Sequence, residues 1–428
     1  MSIQCPPGMR DFYPEDMRVQ NWLFDHWRSV SRAFGFSEYE GPIFEFLELY
    51  ELKSGAGIVS ELFSFTDRGE RRFAIRPEMT PTLARMVAAR ANALPRPIKW
   101  FSIPRMCRAE KPQRGRLREF FQWNVDTLGS EDPLADAEVV AVAVEFLRRV
   151  GLSEQDVAVR LNHRGLMKHA LEALGVPVGQ QGKAFELIDR SEKIGDDAFC
   201  QHWRQHFPDS DAERVADVLR RASLDECLRL AGAGGDDLAQ PTRQFREMWE
   251  RLRSFACEAY CVFDPRIVRG LAYYTGAVFE VHARRVQLRA LLGGGRYDDL
   301  TGLLDGPRVP GVGFGMGDAP MLEALRELGK LPRLDEGIDA FVIDADAQRF
   351  DDVLGLVTRL RREGLVVDYS YKRQAIGKQL KQASARAARY AVIVGHEWPQ
   401  AEQVALKDMT TGQQRVAAAA ELAACMRR

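Results

Sequence analysis

Two strand-forming segments with a run of charge between them constrain this chain more than any other feature. Trp100 to Met106 and Glu119 to Thr127 are rich in aromatic and β-branched residues, and Arg, Lys, Gln and Gly dominate between them. This is the pattern of a β-hairpin with a charged tip. Alternate side chains of a strand share a face, so Phe120, Gln122, Asn124 and Asp126 point together. Aromatic, amide and carboxylate groups in one row are poor core material and suit the wall of a pocket. Six basic residues lie from Arg105 to Arg118, against only Glu110 and the adjoining Glu119, a density that suits phosphate or nucleic acid. A solvated hairpin tip accounts for that charge equally well. What favours a site is order: Arg108, Glu110 two residues on, then the row on the return strand.

At 428 residues the chain has room for about two to four domains. With 46% hydrophobic and 28% charged residues it is expected to fold around a core. A formal net charge of -1 argues against a general basic coat, so any nucleic-acid contact falls to local patches. Seven cysteines, odd in number and without paired CxxC spacing, indicate neither a disulfide framework nor a zinc site. Reduced thiols, no apolar leader in MSIQCPPGMRDFYPED and no apolar run of 18 residues point to a cytoplasmic protein without membrane contact.

Along the chain, Pro6 to Pro14 reads as a loop. Val19, Trp22, Leu23, His26, Trp27, Val30 and Phe34 recur at helical spacing up to Gly35. FSEYEGPIFEF is strand-like on both sides of Gly41 and Pro42, and Ser64 to Asp67 with Arg71 to Ile75 make a turn-linked strand pair. RPEMT then closes a strand, with Thr80 expected as the N-cap of a helix over Pro81 to Arg90 and Glu78 without a capping duty. Asp132 to Arg149 reads as a helix and Val157 to Leu161 as a strand. Residues 164–250 are helical in period and rich in charge, an expected inserted helical domain in which Trp203, His206 and Trp249 serve as helix residues rather than ligands.

Phe263 to Val281 reads as two short strands meeting at Arg269 and Gly270, where a glycine lets backbone approach a bound anion. The glycines of LLGGGRYDDL read as a tight loop, and Val312 to Gly317 as a strand leading into a helix over Ala319 to Leu328. After a linker from Leu328 to Asp335, strands alternate with helices, ending in a helix from Val416, which gives a small α/β domain with a mostly parallel sheet. Six cations between Tyr371 and Tyr390, with no acid among them, suit a phosphate backbone or a solvated helix face.

RAEKPQRGRLREFFQ resembles motif 2 of the class II aminoacyl-tRNA synthetases, in the wording of the histidyl-tRNA synthetase family. RGLAYYTG, GGRYDDL, the Pro-Gly-x-Arg-Asp opening and the C-terminal KQLKQASARAARYAVIVG are similar to further stretches of that family, in its order. The resemblance implies a catalytic α+β domain over 1–328 with an antiparallel sheet flanked by helices, a helical insertion over 164–250 that clamps the acceptor stem, and an α/β anticodon-binding domain over 336–428. It implies ATP-dependent activation of L-histidine and transfer to tRNA(His), with Mg²⁺ on the β- and γ-phosphates and a homodimer formed through motif 1 near Gly41 and Pro42.

By resemblance, Arg108 and Arg269 are catalytic, on the α-phosphate. Glu110 contacts and Phe120 stacks on adenine, and Arg116 joins the ATP site. Glu78, Thr80, Gln122, Asp126, Arg269, Tyr273, Tyr274 and Tyr297 bind histidine, and Gln113 and Arg114 meet the tRNA acceptor end. No metal ligand set is expected from the protein itself. The chain departs from the family at two places: Asp318, Ala319 and Pro320 stand where motif 3 carries Glu-Arg, and Ala272 stands where an Asp precedes the two tyrosines. The γ-phosphate contact then passes to Arg116, Arg296 or Arg308. The alternatives are the histidine-binding regulatory paralogue that controls ATP phosphoribosyltransferase, and a tRNA-binding sensor. Retention of Arg108, Arg269 and a basic C-terminal domain speaks for the enzyme.

Overall fold

A computed structural model describes residues 3–51, 62–232, 239–268, 274–299, 302, 306–334, 337–396, 398 and 402–427. The chain divides into two units, Met1–Pro332 and Arg333–Arg428. The first opens with helix α1 (Pro14–Ala33), which has proline in its first turn with Glu15 and Asp16 and ends just before Gly35 turns to φ +78°. Its Leu23, Trp27 and Val30 are fully buried. Strands β1 (Ser37–Glu38), β2 (Phe44–Phe46), β3 (Ser64–Thr66) and β4 (Arg72–Ile75) follow, the last three forming a small antiparallel sheet in the order β2-β4-β3.

Helix α2 (Thr80–Arg90) has Met79 at its cap and no side-chain capping bond, so the expected N-cap role of Thr80 is not found: Thr80 is already the first helical residue. Next come β5 (Ile98–Ser102), β6 (Arg105–Cys107) and β7 (Glu119–Leu128). The outgoing arm of the hairpin, expected as one strand, is broken at Ile103 and Pro104; proline has no N–H for the ladder. Both pieces pair with β7, β5 through Ile98 to Ser102 and β6 through Arg105 to Cys107.

Asp132 caps α3 (Pro133–Arg149) by accepting from the Leu134 N–H, and β8 (Val157–His163) runs into the helical region. There α4 (Arg164–Ala173), α5 (Gln181–Ile194), α6 (Asp196–His206), α7 (Ala212–Arg221) and α8 (Leu224–Ala231) gather largely around a core of their own that includes Phe185, Phe199 and Trp203. The last helix of this stretch, α9 (Ala239–Ser254), instead joins the main core through Phe245, Met248 and Leu252, packing against α3. Strands β9 (Cys261–Phe263), β10 (Ala277–Ala283), β11 (Leu292–Tyr297) and β12 (Gly311–Gly317) and helix α10 (Asp318–Glu327) complete the unit.

The main sheet runs β1-β5-β7-β12-β11-β10-β8-β9, antiparallel except for the pairs β1 with β5 and β8 with β9 at its edges. One face packs on α1 and α3. Trp27 stacks on Trp123 at 5.9 Å, Phe146 and Phe314 meet Trp123 edge-on at 5.5 and 5.0 Å, and the Trp123 indole donates to Ser31 Oγ at 3.0 Å. The glycine run read as a tight loop is strand β11, inside the sheet. A Cβ on Gly294 would lie 2.4 Å from the Gly313 carbonyl oxygen and 2.6 Å from Phe279, so close packing rather than a turn calls for glycine there.

The second unit holds β13 (Ala340–Asp344), α11 (Phe350–Arg362), β14 (Val367–Tyr369), α12 (Ile376–Ala385), β15 (Tyr390–Val394), β16 (Gln403–Asp408), β17 (Gln414–Ala418) and α13 (Leu422–Met426). Its sheet, β14-β13-β15-β16-β17, is parallel in the first three strands and antiparallel in the last two, so it is mixed rather than mostly parallel. The helix expected from Val416 starts only at Leu422, because Val416 sits opposite Ala405 in the ladder. Of the six cations between Tyr371 and Tyr390, Arg373 and Arg386 pair with Asp344 and Asp368, and Arg389 donates to the Met426 carbonyl; Lys372, Lys378 and Lys381 are exposed.

His163 ends β8 and caps α4, its Nδ1 accepting from the Gly165 N–H at 3.2 Å, a bond that requires the unprotonated ring nitrogen. Burial, with the Arg296 charge second, holds its pKa down at about 4 against an ordinary 6.5. Between those two values the unfolded chain takes up a proton that the folded chain refuses, so stability is full above pH 6.5 and falls toward pH 4. This one residue is expected to remove on the order of 3 kcal/mol across the window. In urea denaturation at stepped pH, His163→Asn, which keeps a capping side chain, should show a flatter profile than the unsubstituted chain; equal slopes would refute the assignment.

Candidate active site

Strand β7 serves two environments at once. Phe121, Trp123 and Val125 belong to the core face, while Phe120, Gln122, Asn124 and Asp126 line a pocket on the other face, as their alternation predicts. From Phe120 to Asp126 the strand rises about 20 Å, enough to serve two ligand groups in line. The depth of the pocket comes from the neighbouring strand β12. Val312, Phe314 and Met316 fill the core, and the alternate positions Gly311, Gly313 and Gly315 are bare. A Cβ on Gly313 would lie 2.0 Å from Asp126 Oδ1, on Gly315 2.7 Å from the Gln122 amide carbon, and on Gly311 2.6 Å from the Tyr297 ring.

At the C-terminal end of β7 the Tyr297 hydroxyl donates to Asp126 Oδ1 at 2.5 Å, and Asp126, Tyr297 and Tyr274 are all buried. Burial, then the Asp126 charge, raises the Tyr39 phenol well above its ordinary range, so that ring remains neutral beside the carboxylate. Toward the N-terminal end, Arg108 Nε donates to the Pro77 carbonyl at 3.0 Å and its guanidinium carbon lies 5.1 Å from the Phe120 ring centroid. Glu110 is buried in an ion pair with Arg116, and Arg118 Nε holds the Glu110 carbonyl at 3.0 Å.

One pocket thus brings together Glu78, Thr80, Arg108, Glu110, Arg116 and Phe120 with Gln122, Asp126, Tyr274 and Tyr297. Gln113 and Arg114 sit exposed on the loop outside its lining, Arg114 paired with Glu323 at 3.0 Å and with Glu327 of α10. Arg269 and Tyr273, together with the junction at Gly270 and the substitution Ala272, lie outside the described residues.

Two of the three arginines considered for the γ-phosphate are engaged elsewhere. Arg296 is buried on Asp136, at 2.6 Å, and on Asp298; Arg308 pairs with Glu131 and Asp299. Only Arg116 of the three lines the pocket. Asp318, at the departure from motif 3, is fully buried: its Oδ2 accepts from Arg10 at 2.7 Å and its Oδ1 from the Phe121 N–H at 3.0 Å. The pocket also includes Asn124, Glu280 and Arg289. Asn124 stood in the alternating row, and Glu280 is the one charge in the apolar run from Ala277 to Val281, a signal that could have flagged it. Arg289 had no such signal.

Residues 8–319 match the family model described as histidyl-tRNA synthetase, and residues 339–428 the model described as anticodon binding domain. A histidine–tRNA ligase of Opitutus terrae is 42% identical over 415 residues, covering 96% of this chain and 94% of the relative. The chloroplastic/mitochondrial histidine–tRNA ligase of Arabidopsis thaliana is 37% identical over 416 residues, covering 97% of this chain and 85% of the relative. Among solved structures, the histidyl-tRNA synthetase of a Nostoc species superposes with a TM-score of 0.85 at 25% identity, covering 100% of this chain and 99% of that one.

Gly313→Ala should force Asp126 and the Val125 backbone aside and lower stability by about 1–3 kcal/mol. Gly182→Ala on α5, with open space around it, should stay within about 0.5 kcal/mol of the unsubstituted chain. Chemical denaturation of the two variants side by side checks this; equal effects would mean that Asp126 does not fill the space at Gly313.

Proposed function

This chain belongs to the histidyl-tRNA synthetase family, and on that premise we propose how its pocket performs the reaction. The protein activates histidine with ATP, releasing pyrophosphate, and passes the histidyl group to tRNA. The observation that carries the reading is a single pocket along β7, with cation, ring and carboxylate at Arg108, Phe120 and Glu110 and the hydrogen-bonded pair Asp126 and Tyr297 further along the same strand.

The histidine carboxylate attacks the α-phosphorus in line, and charge builds on the non-bridging oxygens as pyrophosphate leaves. Activation of this kind needs no enzyme nucleophile. Arg108 supplies a planar, permanently charged donor to those oxygens, with Arg269 as the second, so catalysis rests on orientation and electrostatic stabilisation. Phe120 stacks on the adenine and Glu110 accepts from it. Asp126, oriented by the Tyr297 hydroxyl, accepts an imidazole N–H; Tyr274 lines the same pocket, and Tyr273 is a further histidine-binding residue of this reading. Glu78, Thr80 and Gln122 surround the α-ammonium with acceptors.

Mg²⁺ enters on the phosphates of ATP. Gln113 and Arg114 meet the acceptor end of tRNA(His), residues 164–250 act as the helical insertion that clamps its stem, and Lys372, Lys378 and Lys381 offer charge to its backbone. The cytoplasm is the expected compartment, supported by seven free cysteines; no helix among the described residues is long and apolar enough to cross a membrane. The chain works as a homodimer. Support comes from the small sheet beside Gly41 and Pro42, where Ile43, Phe44, Phe46 and Phe65 are 43% to 51% exposed and Phe46 stacks on Phe73 at 5.0 Å.

Histidine-dependent exchange of pyrophosphate into ATP is the expected activity. Arg108→Ala should lower it by about 10² to 10³, roughly 3 to 4 kcal/mol of transition-state stabilisation. A folded, unsubstituted chain showing no exchange would remove the enzyme reading. In sedimentation, the protein should run at twice the 48.4 kDa chain mass, and Phe46→Glu with Phe65→Lys should shift it toward one chain; an unchanged mass would acquit this sheet.

A further inference from the structure

The first turn of α10 presents no cation to the pocket. Asp318 is committed to Arg10 and to the Phe121 N–H, while Ala319 and Pro320 line the wall without charge. A triphosphate whose α-phosphorus lies by Arg108 carries most of its negative charge beyond that point, and those oxygens need donors.

One guanidinium reaches this wall from another part of the fold. Arg289 lies just before β11, in the connection from β10, and lines the same pocket as Arg108 and Arg116. Its backbone is anchored close by: the Leu291 N–H donates to the Val281 carbonyl at 2.8 Å, and Leu292 pairs with Met316 of β12. Gly115, on the hairpin tip, marks where the elements converge. A Cβ placed there would lie 3.7 Å from Pro320 Cα and 4.0 Å from Arg289 Cγ. The stem of Arg289 and the cation-free turn of α10 therefore flank one point of the wall, and Arg116 is the next residue along the tip.

We infer that Arg289 binds the β- and γ-phosphates of ATP, supplying from the β10–β11 connection the cation absent from positions 318 to 320, with Arg116 as its partner across Gly115. This rests on the ATP-dependent activity proposed above. Arg289 is exposed, so its replacement leaves the core untouched.

The test compares Arg289→Ala and Arg289→Lys with the unsubstituted chain in two measurements. One is KM for ATP in histidine-dependent pyrophosphate exchange; the other is the affinity of a histidyl-sulfamoyl-adenosine analogue, which has the adenylate portion but no β- or γ-phosphate. Loss of charge-assisted bonds to the terminal phosphates should raise KM for ATP about tenfold or more in Arg289→Ala, with partial recovery in Arg289→Lys. Binding of the analogue should be unchanged. An unaltered KM for ATP, or equal weakening of ATP and analogue, overturns the assignment. If the unsubstituted chain lacks exchange as well, the reaction and the assignment fall together; normal exchange beside an unmoved KM removes the assignment alone.

Discussion

The register between β7 and β12 is the constraint on which the site depends. Gly313 stands opposite Asp126 and Gly315 opposite Asn124, so the strand that closes one side of the pocket contributes almost no volume to it. Its alternate residues, Val312, Phe314 and Met316, do the opposite and fill the core. A slip of one residue would drive those three side chains into the pocket and leave glycines against Trp123. Hydrophobic burial on one face therefore fixes the position of polar groups on the other.

Charged residues beneath the site follow the same economy. Arg76 is buried with Glu40 at 2.5 Å and with the carbonyls of Gly41 and Arg105, joining the strand before α2 to the segment leading into β2 and to β6. Arg296 does similar work between β11 and α3 through Asp136. Each is a charge removed from water and matched by oxygens on several sides, the condition under which buried ions are tolerated. Neither is offered to a ligand, whereas Arg108 and Arg116 open onto the pocket.

Much of this was legible in the residues alone, and what was not has identifiable physical causes. The row Phe120, Gln122, Asn124 and Asp126 could be read because a strand has a fixed period and one polar face is conspicuous. The motif wording supplied residue types for Glu78, Thr80, Tyr274 and Tyr297, whose convergence depends on strands far apart in the chain. Gly293 to Gly295 were misread because a glycine run signals a turn locally, and only the neighbouring rings, Phe279 against Gly294 and Tyr274 against Gly295, reveal that it makes room. The cations after Tyr371 looked uncompensated because Asp344 and Asp368 lie outside that window. Arg296 and Arg308 were plausible phosphate ligands by type, yet their acidic partners could be found only in three dimensions.

The Arg10 to Asp318 bond has a consequence for how the molecule is made. Its partners are 308 positions apart, and the same carboxylate also grips the backbone of β7. During synthesis at about 5–20 residues per second, the amino-terminal segment waits roughly 15 to 60 seconds before its counter-charge leaves the ribosome. Until then that segment meets the strand carrying Phe120 through the Gly8 carbonyl, which accepts from the Arg118 and Glu119 N–H groups, and through the Phe12 ring against Phe121, so the ionic latch closes on the earliest residues only after hundreds more are added.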